Sequence, residues 1–319
     1  MNSKEPKISD ELFLSKKAAW LYYVAKLNQN QIAEKIGLSK MRVHRLIALA
    51  EKNGFVKTYV EGDFERTSKY ENILKEKYKI KFCEVIPNDL ESDNPINMLG
   101  AAGGRFIMNQ INNNNIYEFG IGTGSTMSAV TKWLPKINKK IDFISLNGSL
   151  TRNNAVQTQS VISQIANKTD GQCYATGIPL ITESIEQKKM IENINYVKEI
   201  LIRGNKTKIK ILGVGGLNDS SLNVRSKIFS EKSIANLKRS GALGEVGGNF
   251  FNIDGKIVSN EETTKILSAN YLFFKKAKTV LIAGGKNKIL QLKSVLKSGY
   301  FSGLITDSNT ADRLINSKN

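Results

Sequence analysis

The run Phe119-Gly120-Ile121-Gly122-Thr123-Gly124-Ser125-Thr126-Met127 carries the clearest chemical signal in the chain. It follows an apolar, strand-like stretch and opens a helical pattern. Glycines let the main chain approach an anion closely. The N–H groups of a helix start, with the hydroxyls of Thr123, Ser125 and Thr126, can then hold a phosphate beside Gly124. No Gly-Lys-Ser/Thr follows, so this is not a P-loop. The spacing G-x-G-x-G also stops short of the dinucleotide fingerprint, which argues against a nicotinamide-dependent dehydrogenase. A tight turn with Ser/Thr caps is the plain structural alternative.

Similar chemistry recurs at other strand ends: Leu146-Asn147-Gly148-Ser149, Gly213-Val214-Gly215-Gly216 and Gly284-Gly285-Lys286-Asn287-Lys288. Ligands of open α/β sheets bind outside the carboxyl ends of the strands, so these segments are expected to share one pocket. Lys288 would bring a positive charge to a phosphate. Glu245, in Gly244-Glu245-Val246-Gly247-Gly248-Asn249, could accept hydrogen bonds from sugar hydroxyls. Each has a bland alternative, a solvated lysine and a loop carboxylate.

A second constellation lies near the N-terminus. Val43, Leu46, Ile47 and Ala50 recur at helical spacing and define a buried face. Ser39, Lys40, Arg42, His44 and Arg45 lie mostly off that face, at the helix start, where a recognition helix enters the major groove. Arg42 and Arg45 could meet guanine edges or phosphates, while Gln29, Gln31 and Lys40 suit phosphate contacts that set register. Ser39 is a good N-cap, Asn28-x-x-Gln31 a possible capping box, and Gly37 sits where the chain must leave the second helix sharply. A helical hairpin with a solvated basic face is the alternative.

These residues need elements to hold them. The first sixty or so residues read as three helices, at 16–27, 31–36 and 40–53, with an extended segment at 55–60. From about residue 78 short apolar strands (80–86, 116–121, 141–146, 209–214, 279–283, 303–306) alternate with helices (97–111, 125–134, 155–166, 185–202, 288–297). That alternation predicts βαβ units and a mainly parallel sheet covered on both faces. The expected division is a helix-turn-helix domain at 1–62, a charged linker at 63–78 and a large Rossmann-like α/β domain at 79–319.

Composition sets outer limits. Of 319 residues, 47 are Lys or Arg and 29 Asp or Glu, a formal charge of +18. That favours polyanionic partners such as double-stranded DNA, although a generally lysine-rich surface gives the same sum. His44 is the single histidine, so histidine-based catalysis in the large domain is excluded by count, and no metal or cofactor is expected. Cys83 and Cys173 form no C-x-x-C pair. No apolar run is long enough to span a membrane, and the polar N-terminus does not resemble a signal peptide, so a cytoplasmic protein is expected.

Taken in order, these motifs resemble the SorC family of sugar-binding transcriptional regulators. The resemblance starts at Ala18-Ala19-Trp20-Leu21-Tyr22-Tyr23 and runs through Gln31-Ile32-Ala33, Ser39-x-Met41-x-Val43-x-Arg45-Leu46 and Gly120–Thr126. It continues at Gly213–Gly216 and Gly284-Gly285-x-x-Lys288, and ends at Leu304-Ile305-Thr306-Asp307-x-x-Thr310-Ala311. It implies a large domain with the fold of sugar-phosphate isomerases but without their activity, a phosphorylated sugar effector, operator DNA and a homotetramer. It places Thr123, Gly124, Ser125, Thr126 and Lys288 on the phosphate, and Asn147, Gly148 and Glu245 on the sugar. Glu245 stands where the family often has aspartate, and Asn249 where it often has arginine. The competing reading, a sugar-phosphate isomerase or deaminase with an added helical domain, lacks an evident base with a tuned pKa.

Overall fold

The computed structural model describes residues 8–56, 64–87, 95–113, 116–149, 160–219, 221, 224 and 227–316. The chain divides into two compact units, Met1–Gly62 and Asp63–Asn319.

The smaller unit is three helices: α1 (Ile8–Tyr23), α2 (Gln29–Ile36) and α3 (Lys40–Lys52). Ala18, Leu21, Ile32, Val43, Leu46 and Ile47 form its core. α1 ends earlier than its apolar pattern suggests, because Lys26 adopts a φ of +57° and the Leu27 N–H turns back to the Leu21 carbonyl at 3.1 Å. Local chemistry then sets the turn. Asn28 and Gln31 form a reciprocal capping box on α2, Gly37 closes it at φ +69°, and Ser39 caps α3 by accepting from the Arg42 N–H. Only a glycine takes that left-handed conformation at 37 without a side-chain penalty. The extended segment expected at 55–60 lies mostly outside the described residues.

The larger unit begins with α4 (Phe64–Tyr78), the segment the sequence suggested as a linker. Leu74 is fully buried in the core and Tyr70 Oη donates to Asp312 Oδ1 at 2.7 Å. The charged residues of this stretch mask an apolar stripe, so it is a packed helix. Next come β1 (Phe82–Ile86), α5 (Ile96–Asn113), β2 (Glu118–Ile121), α6 (Ser125–Trp133), β3 (Asp142–Ser145), α7 (Val161–Ala166) and β4 (Cys173–Tyr174). They are followed by α8 (Ile185–Glu192), α9 (Asn195–Lys206), β5 (Ile209–Gly213), β6 (Gly215–Gly216), α10 (Glu231–Arg239), β7 (Gly244–Val246) and β8 (Asn249–Phe251). The chain closes with α11 (Glu261–Thr264), α12 (Leu272–Lys275), β9 (Lys278–Ile282), α13 (Ile289–Lys297), β10 (Gly303–Asp307) and α14 (Ser308–Asn316). Residues 185–202, read as one helix, are two: Asn193 ends α8 and Ile194 is extended. Of the helix expected at 155–166, the part before residue 160 lies outside the described residues.

Seven strands form a parallel sheet in the order β1-β10-β9-β5-β2-β3-β4. Side chains of a strand alternate between faces. Ile211, Val280, Ile282 and Ile305 accordingly join a core under α5 and α6, whereas Leu212, Leu281 and Leu304 join one under α4, α13 and α14. At the amino ends of β2 and β3, Arg203 pairs with Glu118 and Asp142 at 2.6 Å each, its guanidinium 4.1 Å from the Tyr174 ring centre. A small antiparallel sheet, β6-β7-β8, stands apart. It was not anticipated, since its strands are two or three residues long and glycine-rich.

Candidate functional site

Strand order reverses direction between β2 and β5. From β2 the chain advances through β3 and β4 to one edge; from β5 it returns through β9 and β10 toward the other. The loops leaving β2 and β5 therefore diverge and open a crevice at the carboxyl ends of the strands, the usual ligand position in such sheets. A cavity of about 110 Å³ occupies it.

Five segments line this cavity: Gly122–Thr126 after β2, Asn147 after β3, Leu212–Gly215 after β5, Glu245 and Gly247 of the β7–β8 hairpin, and Lys288 after β9, with Leu180 closing one wall. Of the effector residues expected from sequence, Thr123, Gly124, Ser125, Thr126, Asn147, Glu245 and Lys288 thus meet in one place. Gly148 does not line it. A Cβ on Gly148 would stand 2.6 Å from the Pro179 carbonyl oxygen, so this glycine serves close packing that brings Leu180 to the wall. Leu180 itself carried no sequence signal.

The loop after β2 is built for an anion. Gly124 takes φ +113° with no atom within 4 Å of a notional Cβ, and α6 starts without a side-chain cap. Its first N–H groups thus face the cavity end of the helix, where the helix dipole favours negative charge. Asn147 Nδ2 donates to Thr123 Oγ1 at 2.9 Å. With its lone pair so engaged, Thr123 keeps its own proton for an anion. Glu245 Oε1 accepts from the Gly248 N–H at 2.5 Å, within a turn where Gly247 and Gly248 both take positive φ. Burial lowers the Lys288 ammonium below the ordinary lysine range, and the Glu245 charge pulls it back up, so the two face each other electrostatically.

Lys288 depends on a support whose residues stand in a sequence motif that announces no role for them. Asp307, at the end of β10 and 1% exposed, accepts from the Gly285 N–H at 3.0 Å and from Thr310 Oγ1 at 2.6 Å. It thereby fixes the turn that carries Lys288. Among the described residues no group of three or more His, Cys, Asp or Glu is placed to hold a metal. Burial pushes the thiols of Cys83 and Cys173 up to about 12 and about 11, which keeps them protonated and unreactive.

In the smaller unit Ser39, Lys40, His44 and Arg45 are exposed at the start of α3, and Arg42 is half-buried with its Nε unpartnered among the described residues. Gln29 Nε2 lies 3.4 Å from His44 Nδ1. Gln31 is exposed, but its side-chain oxygen is committed to the Asn28 N–H; only its Nε2 amide remains to meet a phosphate.

A family model described as "Putative sugar-binding domain" matches residues 62–316. The chain is 33% identical over 307 residues to the erythritol catabolism regulatory protein EryD of Brucella abortus, covering 96% of this chain and 97% of that protein. It is 28% identical to the deoxyribonucleoside regulator of Bacillus subtilis, covering 95% and 97%. The fold matches the full-length sorbitol operon regulator SorC of Klebsiella pneumoniae with a TM-score of 0.70 at 19% identity, over 96% of this chain and all of that one.

Proposed function

The chain belongs to the SorC family of sugar-binding transcriptional regulators, a family of regulators rather than enzymes, and from that premise we propose that it couples a small phosphorylated effector to operator DNA. The observation that carries this reading is the convergence of the Gly122–Thr126 loop, Asn147, Glu245 and Lys288 on one cavity at the switch point. The loop amides and Lys288 hold the phosphate; Asn147 and Glu245 meet hydroxyl groups. A relative named for erythritol catabolism supports a sugar or short polyol as the effector class.

Helix α3 enters the major groove. Arg42 and Arg45 read base edges or phosphates, and Ser39, Lys40, His44 and the Gln31 amide complete the grip. Regulation follows from linkage: an effector that binds two arrangements of a homotetramer unequally shifts their populations, and so changes the spacing of paired helix-turn-helix units on half-sites. The protein acts in the cytoplasm on a carbohydrate-catabolic operon.

The test is fluorescence anisotropy with the chain's own upstream DNA, with and without phosphorylated sugars and polyols. A salt-sensitive complex whose affinity responds to one of them supports the reading. Turnover of those compounds, or indifference of the complex to all of them, contradicts it.

A further inference from the structure

Asn147 is 4% exposed, lines the cavity, and has its Oδ1 buried without a hydrogen-bond partner among the described residues. A buried acceptor stripped of water and left unpaired is unfavourable, and native structures rarely keep one without a reason. The other half of the same carboxamide is tied to Thr123 in the anion loop, which fixes which end is the acceptor. The site therefore presents, one carboxamide's width from the phosphate position, a group that takes a proton donor and nothing else.

A phosphate has no such donor to spare, and a carbonyl or ether oxygen would set acceptor against acceptor. The matching group is a hydroxyl, placed on the carbon next to the one bearing the phosphate. In an aldose phosphorylated at its terminal carbon and closed into a ring, that carbon carries the ring oxygen, which has no proton. The charged lining is one of each sign, Glu245 and Lys288, so a second phosphate would find no second cation there.

Resting on the regulator reading above, we propose that the effector is an open-chain polyol monophosphate, and that Asn147 Oδ1 selects it by accepting from the hydroxyl adjacent to the phosphate-bearing carbon.

Calorimetric titration of the full chain tests this with three compounds: erythritol 4-phosphate, butane-1,2,4-triol 4-phosphate (the same molecule without that hydroxyl) and ribose 5-phosphate. The first is expected to bind at least about tenfold more tightly than either of the others, the effect of leaving a buried acceptor unpaired. In Asn147→Leu, similar in shape but without the acceptor, the first two should bind alike. If Asn147→Leu fails to fold, the comparison on the unmodified chain decides alone. Equal affinity for erythritol 4-phosphate and its deoxy analogue overturns the proposal. Tightest binding of ribose 5-phosphate overturns it too, while leaving a phosphosugar regulator intact. Failure of all three to bind removes both readings.

Discussion

The carboxylate of Asp307 stands where a side chain on residue 284 would have to be. A Cβ built on Gly284 lies 2.1 Å from Asp307 Oδ2. The same oxygen takes the Gly285 N–H, and the 3₁₀ turn Lys286–Lys288 starts immediately after. The bareness of residue 284 and the acidity of residue 307 are thus two parts of one device that places Lys288 at the cavity.

Gly284→Ala should push Asp307 off its partners. Overpacking of this kind destabilises by roughly 1–3 kcal/mol, measurable by urea denaturation. Asp307→Ala should cost about as much by leaving the Gly285 N–H and Thr310 short of an acceptor. Both variants should also weaken effector binding, while a surface change such as Lys256→Ala should not. Unaltered effector affinity in a folded Gly284→Ala protein would separate this turn from the site.

Gly124→Ala adds a methyl into open space, so any effect must come from the backbone. At φ +113° an L side chain is strained, and the loop should relax away from the anion position. The expected result is a loss of about 1 kcal/mol or more in stability together with weaker binding of phosphorylated ligands. Crystal structures of the variant would show the loop displaced.

Lys210 gives a pH signature. It is fully buried in β5, donates to the carbonyls of Asn205 at 3.1 Å and Thr207 at 2.6 Å, and burial pushes it down to about 8, against a smaller upward pull from Glu118. The unfolded chain keeps this proton up to the ordinary lysine value of 10.5. Between about 8 and 10.5 the unfolded state therefore binds more protons, and folding stability gains with rising pH across that window. The gain from this group is on the order of 3 kcal/mol. Lys210→Met should lack that part of the rise in denaturation curves taken at pH 7.5 and 10.

Replacing Arg42 and Arg45 with alanine should weaken operator binding by about 1–3 kcal/mol for each guanine edge that is no longer read, and flatten the salt dependence if phosphates are involved. Ser39 and the buried Val43, Leu46, Ile47 and Ala50 face are untouched by these changes, so the fold of the small unit should persist by circular dichroism. Intact operator affinity at moderate salt would show that α3 is not the reading helix.

Much of this is legible in the sequence because local chemistry and global fold agree. The capping box at Asn28 and Gln31, the left-handed Gly37 and the Ser39 cap each depend on neighbours a few residues away. The six principal strands of the large sheet are short apolar runs bounded by glycine or polar residues, and their ends place four loops at one rim. What stays hidden is what depends on distant partners. Leu180 reaches the cavity only because Gly148 lets the Pro179–Leu180 segment approach. The 64–78 helix buries Leu74 against strands far along the chain, which its charged composition does not announce. Asp307 reads as the end of a strand, and its bond to the Gly285 N–H spans a separation that no local pattern encodes.

The central claim is that one chain grips a duplex through α3 and adjusts that grip through the cavity holding Lys288. The most direct measurement is operator affinity with the effector titrated, on the unmodified chain and on Lys288→Ala. The effector should change the operator dissociation constant by about fivefold or more in the first, and leave it unchanged in the second. The same dissociation constant at saturating effector in both proteins would mean that the cavity and the recognition helix do not communicate.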